Sequence, residues 1–201
     1  ALQLAALYKK LNNDYKVQKY NAIAEKLKSA IPATFLDSRG MLHASTGKGN
    51  QGDVWSSALA VYFKVLDQKS SELVSGYLSE AYKNGSLAYK GNIRHILTTD
   101  DFSKTSAWEF SLAKTNTYQN GAYWGTPTGW VCYTIALTDF ELAKQLAKEY
   151  VDNLRQNDFR KGGDFGAPYE CFHASGHKQN PLYMTTVSCP LATFQYMLKG
   201  E

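Results

Sequence analysis

Apolar side chains recur at helical spacing in three segments that each keep one polar face. Within residues 2–30, Tyr20, Ile23, Ala24 and Leu27, continued by Ile31, fall on one side, with Lys19, Glu25, Lys26 and Lys28 on the other; Ile31-Pro32 predicts the end of this helix. Residues 70–84 repeat the pattern with Leu73, Val74, Tyr77, Leu78, Ala81 and Tyr82, and Gly85 stands where a C-cap glycine belongs. A third copy starts at Thr138, which with Glu141 makes a capping box, and carries Ala143, Leu146, Ala147, Tyr150, Val151 and Leu154 on one face. Three other segments, residues 54–63, 127–137 and 190–198, contain no Asp, Glu, Lys or Arg. Each has helix-start chemistry: Asp53, then Thr126-Pro127, then Ser188 with Pro190. A helix that is apolar all round must be covered on every side.

The two kinds alternate along the chain. That order predicts an all-α fold of helical hairpins in an inner and an outer layer, about three hairpins in a single domain over residues 1–201; a six-helix bundle satisfies the same periodicity. The connections leading into the uncharged helices are rich in glycine, aromatics and hydrogen-bonding side chains: Gly47-Lys48-Gly49-Asn50-Gln51-Gly52-Asp53-Val54-Trp55, then residues 117–127, then residues 166–173. The opposite connections, such as Leu66-Asp67-Gln68-Lys69, are short and plain. If successive helices run antiparallel, the rich connections share one rim, and that rim carries the function.

Composition narrows the options. With 201 residues, 44% hydrophobic and 20% charged, the chain suits one globular domain and is not disordered as a whole. No stretch approaches the length of apolar sequence that spans a bilayer, so no membrane partner is expected. The net charge of +4 is dispersed rather than gathered in a stripe, which argues against a nucleic-acid partner. Cys132, Cys171 and Cys189 cannot all pair, so a disulfide scaffold is not expected. The chain begins at Ala1 without a signal peptide's apolar stretch, which reads as a mature or excised product and favours a periplasmic or extracellular location.

Exposed Trp and Tyr beside Asn, Gln and Arg suit a sugar, whose C–H faces an aromatic ring covers and whose hydroxyls the polar groups satisfy. Gly47-Lys48-Gly49 lacks the spacing of a phosphate-cradling loop. Cys171, His173, His177 and Cys189 lack the spacing of a structural zinc site, and no metal or other cofactor is expected.

The combination of Gly52-Asp53-Val54-Trp55-Ser56-Ser57-Ala58-Leu59-Ala60-Val61-Tyr62, Tyr118-Gln119-Asn120-Gly121-Ala122-Tyr123-Trp124-Gly125 and Tyr169-Glu170-Cys171-Phe172 resembles the catalytic (α/α)6 toroid of six-hairpin glycoside hydrolases. The resemblance covers about residues 35–198 and matches the C-terminal half of such a ring. It implies a carbohydrate substrate and inversion by two carboxyl groups facing across a central pit, roughly 6.5–9.5 Å apart. Glu170 occupies the position resembling the general base. Asp53 is the only acid in the other two motifs and so the candidate partner, although an Asp just before a helix with Ser56 three residues on is also what an N-cap looks like.

Trp55, Asn120, Tyr123, Trp124 and Tyr169 are the candidate sugar contacts on the rim, joined by Arg94 and His95 if their segment reaches it. Each has a plainer reading. Glu170 is then a solvated loop carboxylate, Arg94 a surface ion pair with Asp100 or Asp101, and Trp124 or Tyr123 a ring packed on Trp130. A half ring would leave helix flanks bare, so an associated polypeptide, a missing N-terminal half or a second copy is expected to close it. The rival functions are a non-catalytic carbohydrate-binding module and a helical scaffold that binds protein.

Overall fold

The computed structural model describes residues 1–199. Its elements run α1 (Leu2–Lys10), α2 (Asp14–Phe35), α3 (Val54–Tyr62), α4 (Gln68–Lys83), β1 (Ala88–Tyr89), β2 (Asn92–Arg94), β3 (Tyr123–Trp124), α5 (Thr128–Ala136), α6 (Phe140–Gln156), a 3-10 turn at Phe159–Lys161, β4 (Tyr169–Phe172), β5 (Lys178–Pro181) and α7 (Thr185–Lys199). The five strands form one antiparallel sheet in the order β1-β2-β3-β4-β5. This overturns the all-α expectation and the half toroid with it: the fold is mixed, helices with a sheet. The strands escape a reading of periodicity because none exceeds four residues, too short for an alternation of polar and apolar positions to register.

The charge-free helices do lie side by side. α5 packs against α3 on one flank and α7 on the other, and α4 and α6 rest against α5. Val54, Ala58 and Val61 of α3, Val131, Cys132 and Ile135 of α5, Val74, Leu78 and Ala81 of α4, and Ala143 and Leu146 of α6 make one continuous core. Fully buried Leu78, Ile135 and Leu146 each contribute about 1.5–3 kcal/mol by leaving water.

Local chemistry sets the helix ends. Asp53, Asp67 and Asp139 each accept from the backbone N–H three residues on, at 2.7, 2.7 and 3.0 Å. The expected capping box at Thr138 and Glu141 is therefore displaced by one residue; Thr138 Oγ1 instead lies 2.6 Å from Ser75 Oγ on α4. Gly85, at φ +78°, ends α4 as a left-handed cap. The expected first helix is two: Leu11, Asn12 and Asn13 break it, and Asn13 caps α2 through the Lys16 N–H. α2 runs through Pro32, whose missing N–H frees a carbonyl on an exposed turn where water can satisfy it. α7 likewise begins before Pro190 and contains it. There the Tyr150 hydroxyl of α6 donates to the Thr186 carbonyl, the acceptor that the Pro190 nitrogen cannot serve.

α1 and α2 pack mainly on each other, Tyr8 stacking on Tyr20 at 5.6 Å, while Ile31 and Phe35 join α2 to the core. Among the described residues, no helix is long and apolar enough to cross a membrane.

The sheet is built from two connections. The segment between α4 and α5 supplies β1, β2 and β3, and that between α6 and α7 supplies β4 and β5. Gly91 turns β1 into β2 at φ +73° and presses so closely on α6 that a Cβ there would lie 2.3 Å from the Tyr150 nitrogen. The start of α3 is stitched on by the Val54 N–H donating to the His95 carbonyl at 2.8 Å. The sheet thus holds the leading ends of α3, α5 and α7 in one neighbourhood.

Candidate functional site

At that neighbourhood lies a cluster of aromatic rings. Trp55, in the first turn of α3, stacks on His95 with centroids 3.9 Å apart and meets Trp124 edge-on at 5.6 Å. Tyr118 lies 5.2 Å from Trp124, and Trp108 lies 6.2 Å from His95. Trp124 is fixed from behind by strand pairing, opposite Ile93 on β2 and Cys171 on β4. Glu170 precedes that cysteine and is 5% exposed. Its Oε2 accepts from the Asn180 amide of β5. The Glu170 carboxylate also lies close enough to Tyr118 to push the phenol pKa upward, the largest of several causes. Glu170, Tyr118 and Trp124 are thus brought together, and the aromatic rings connect them to the α3 start that carries Asp53.

The cluster is poorly satisfied. The indole N–H groups of Trp55 and Trp124, Nδ1 of His95 and Oε1 of Gln51 are buried without a hydrogen-bond partner. A buried polar atom left unpaired costs about 1–3 kcal/mol, so four in one region call for an explanation. Burial, helped by the neighbouring Arg94 charge, holds the His95 pKa down at about 4, so the ring is neutral at neutral pH. A cavity of about 640 Å³ opens beside the cluster, walled by Trp108, Phe110, Ser111, Leu112, Ala113, Tyr118 and Gln119. That volume suits a small organic ligand.

Each of the remaining sequence candidates also has a part in holding the fold. Asp53 is the N-cap of α3, and its carboxyl is pushed above the ordinary carboxylate range by burial against the opposing pull of its bonds to Ser56. Arg94 is 0% exposed: its guanidinium grips Asp101 at 2.5 and 3.1 Å and also donates to the Gly121 carbonyl, the Ile96 carbonyl and Asn116. Asp100 pairs instead with Arg39. Asn120 accepts from the Ala107 N–H at 2.7 Å and donates to the Ala113 carbonyl at 2.8 Å, tying the long connection to itself. These two side chains direct their hydrogen bonds to the protein. Tyr123, adjacent to Trp124 on a strand, points to the other face and meets Tyr89 at 5.7 Å. Tyr169 belongs to a separate apolar group with Ala167 and Phe172, and its hydroxyl braces the 164–166 turn.

Tyr118 and Trp108 complete the site without having been singled out by sequence. Tyr118 opens the 118–125 motif, and Trp108 stands in the long connection between β2 and β3; neither position announces its neighbours, which are fixed by the fold. His173 and His177 lie 4.9 Å apart, and His173 bonds Gln179 at 2.7 Å. Among the described residues, no three His, Cys, Asp or Glu side chains converge in a way that would hold a metal. No family model matches the chain, and no curated protein or solved structure matches it significantly.

Proposed function

We propose that this site binds carbohydrate and that the chain hydrolyses a glycosidic bond with Glu170 as general base. The observation that carries this reading is a carboxylate, nearly closed off from solvent, set beside Tyr118, whose ring joins the aromatic cluster and walls the cavity. A sugar ring stacks against the aromatic wall that Trp108 and Tyr118 give the cavity. Glu170, oriented by the Asn180 amide, takes a proton from the attacking water as that water bonds to the anomeric carbon. The leaving oxygen needs a proton in return. Asp53, whose carboxyl is raised by burial, is the candidate donor.

Release of aryl alcohol from a panel of aryl glycosides, read against Glu170→Gln, tests the assignment. The variant is expected to lose turnover by at least about a thousandfold while retaining sugar binding by calorimetry. Full activity in that variant removes Glu170 from the mechanism. One observation favours a second reading, a binding module without catalysis: Asp53 Oδ1 already accepts from the Ser56 N–H at 2.7 Å, which ties the second carboxyl to helix capping. Binding heat with unmodified sugars and no release from any aryl glycoside decides for the module.

A further inference from the structure

α3 contains no charged residue, and a helix of that composition needs cover on every side. α5 and α4 supply it on the core side. The outer flank is open: a groove of about 360 Å³ lies between α3 and the C-terminal end of α2. Ser56, Leu59, Ala60 and Phe63 line one wall, and Ile31 and Phe35 line the other. The first four stand at i, i+3, i+4 and i+7, which is one face of a helix. Phe63, the C-cap residue, is 62% exposed, so its ring lacks a packing partner. One ionisable residue, His43, lines the groove, with Asp37 at 3.7 Å from its Nε2. The groove shares no residue with the cavity beside Tyr118.

Charge next to the groove has one sign. The whole net charge of +4 resides in residues 1–35, which hold six lysines against Asp14 and Glu25; the rest of the chain has 16 basic and 16 acidic residues. Among the described residues none of those six lysines pairs with a carboxylate, whereas Lys83, Lys144 and Lys148 do. Lys28 belongs to the groove side of α2, since Ile31 and Phe35 follow it at i+3 and i+7. A second copy of this chain would bring the same unpaired lysines to the contact, and like charges disfavour that pairing. Two helical walls with apolar residues at helical spacing instead make a bed for the apolar face of a third helix.

We propose that this groove seats an amphipathic helix of a partner polypeptide, apolar towards Leu59 and Phe63 and acidic along the flank that meets Lys28. The proposal stands apart from the carbohydrate reading. The probe is a fluorescein-labelled, Ala-rich peptide of about 18 residues, long enough to populate a helix in water, with leucines at i, i+3, i+4 and i+7 and glutamates flanking them. A companion peptide carries lysine at every glutamate position. Fluorescence anisotropy with the full chain is expected to show the acidic peptide binding at least about tenfold tighter than the basic one. Phe63→Ala and Lys28→Glu alter exposed side chains and should fold as the parent does, which the unfolding midpoint checks. The first is expected to weaken the acidic peptide by about tenfold and the second by about three- to tenfold. No binding of the acidic peptide, equal or tighter binding of the basic one, or variants that bind as well as the parent overturns the proposal. Vesicles containing phosphatidylserine, and sedimentation of the chain alone, form parallel arms. Vesicle binding or self-association that Phe63→Ala abolishes gives the face to a lipid surface or to a second copy, and that also overturns it.

Discussion

Asp101→Ala should be among the most damaging single changes in the chain, although Asp101 lies outside every core helix. The Arg94 guanidinium that it faces is wholly buried, with bonds of 2.5 and 3.1 Å to the two carboxylate oxygens. Removing one partner of a buried ion pair costs about 3–5 kcal/mol because the other charge is left uncompensated. Two features place this case near the lower limit. Arg94 keeps its bonds to the Gly121 carbonyl at 3.0 Å and Asn116 at 3.2 Å, and the Asp101 side chain is 24% exposed, so water can enter where it stood. The expected loss is about 3 kcal/mol, or a fall in Tm of about 6–12 °C for a domain of this size. Guanidinium unfolding followed by tryptophan fluorescence measures it, with an unchanged slope as the check that only stability moved. The double variant Arg94→Met with Asp101→Ala removes the stranded charge and should recover more than half of the loss. A loss below about 1 kcal/mol for Asp101→Ala, or a double variant no better than the single, would refute the reasoning.

Acid should destabilise the chain through His95. Its folded pKa is about 4 against an ordinary 6.5, so the unfolded chain takes up the proton first. The contribution is therefore fully present above pH 6.5 and is lost as pH falls towards 4, about 3 kcal/mol in all, and His95→Gln should flatten the stability profile across that window. Gly91→Ala should cost more than about 2 kcal/mol, since the added Cβ meets the Tyr150 backbone at 2.3 Å on a residue already at positive φ; a near-neutral urea midpoint would contradict that packing. Among the cysteines, Cys132 is completely buried and its thiol pKa is pushed up by desolvation, so a thiol reagent should modify half-buried Cys189 well before it in the native protein, and mass mapping of the labelled peptides reads the order.

The helical part of the fold is legible where composition and capping agree. α3 stands out because a charge-free run follows a capping aspartate, and α4 because its apolar stripe ends in a left-handed glycine; α5 is found by its charge-free run alone, since it starts after Pro127 with no side-chain cap. Pro32 and Pro190 mislead because a proline is compatible with a helix when something else serves the carbonyl it abandons, and the hydroxyl that does so beneath Pro190 belongs to Tyr150, forty residues earlier. The sheet is invisible for a different reason. Trp124 pairs with Cys171, so the two residues that define the strands are distant in sequence and carry no local mark. The same limit governs the site. Glu170, Trp55 and Trp124 can be chosen by residue type, but so can Arg94 and Asn120, whose polar groups turn out to be spent on backbone, and only the complete fold decides which partners a side chain meets.

β3 is two residues long, and its neighbours Tyr123 and Trp124 face opposite sides of the sheet. A slip of one residue between β3 and β4 would therefore exchange an indole for a phenol on the side that carries the aromatic cluster. Insertion or deletion of a single amino acid in the segment leading to β3 is thus a route by which this scaffold can rebuild the composition of that cluster in one step.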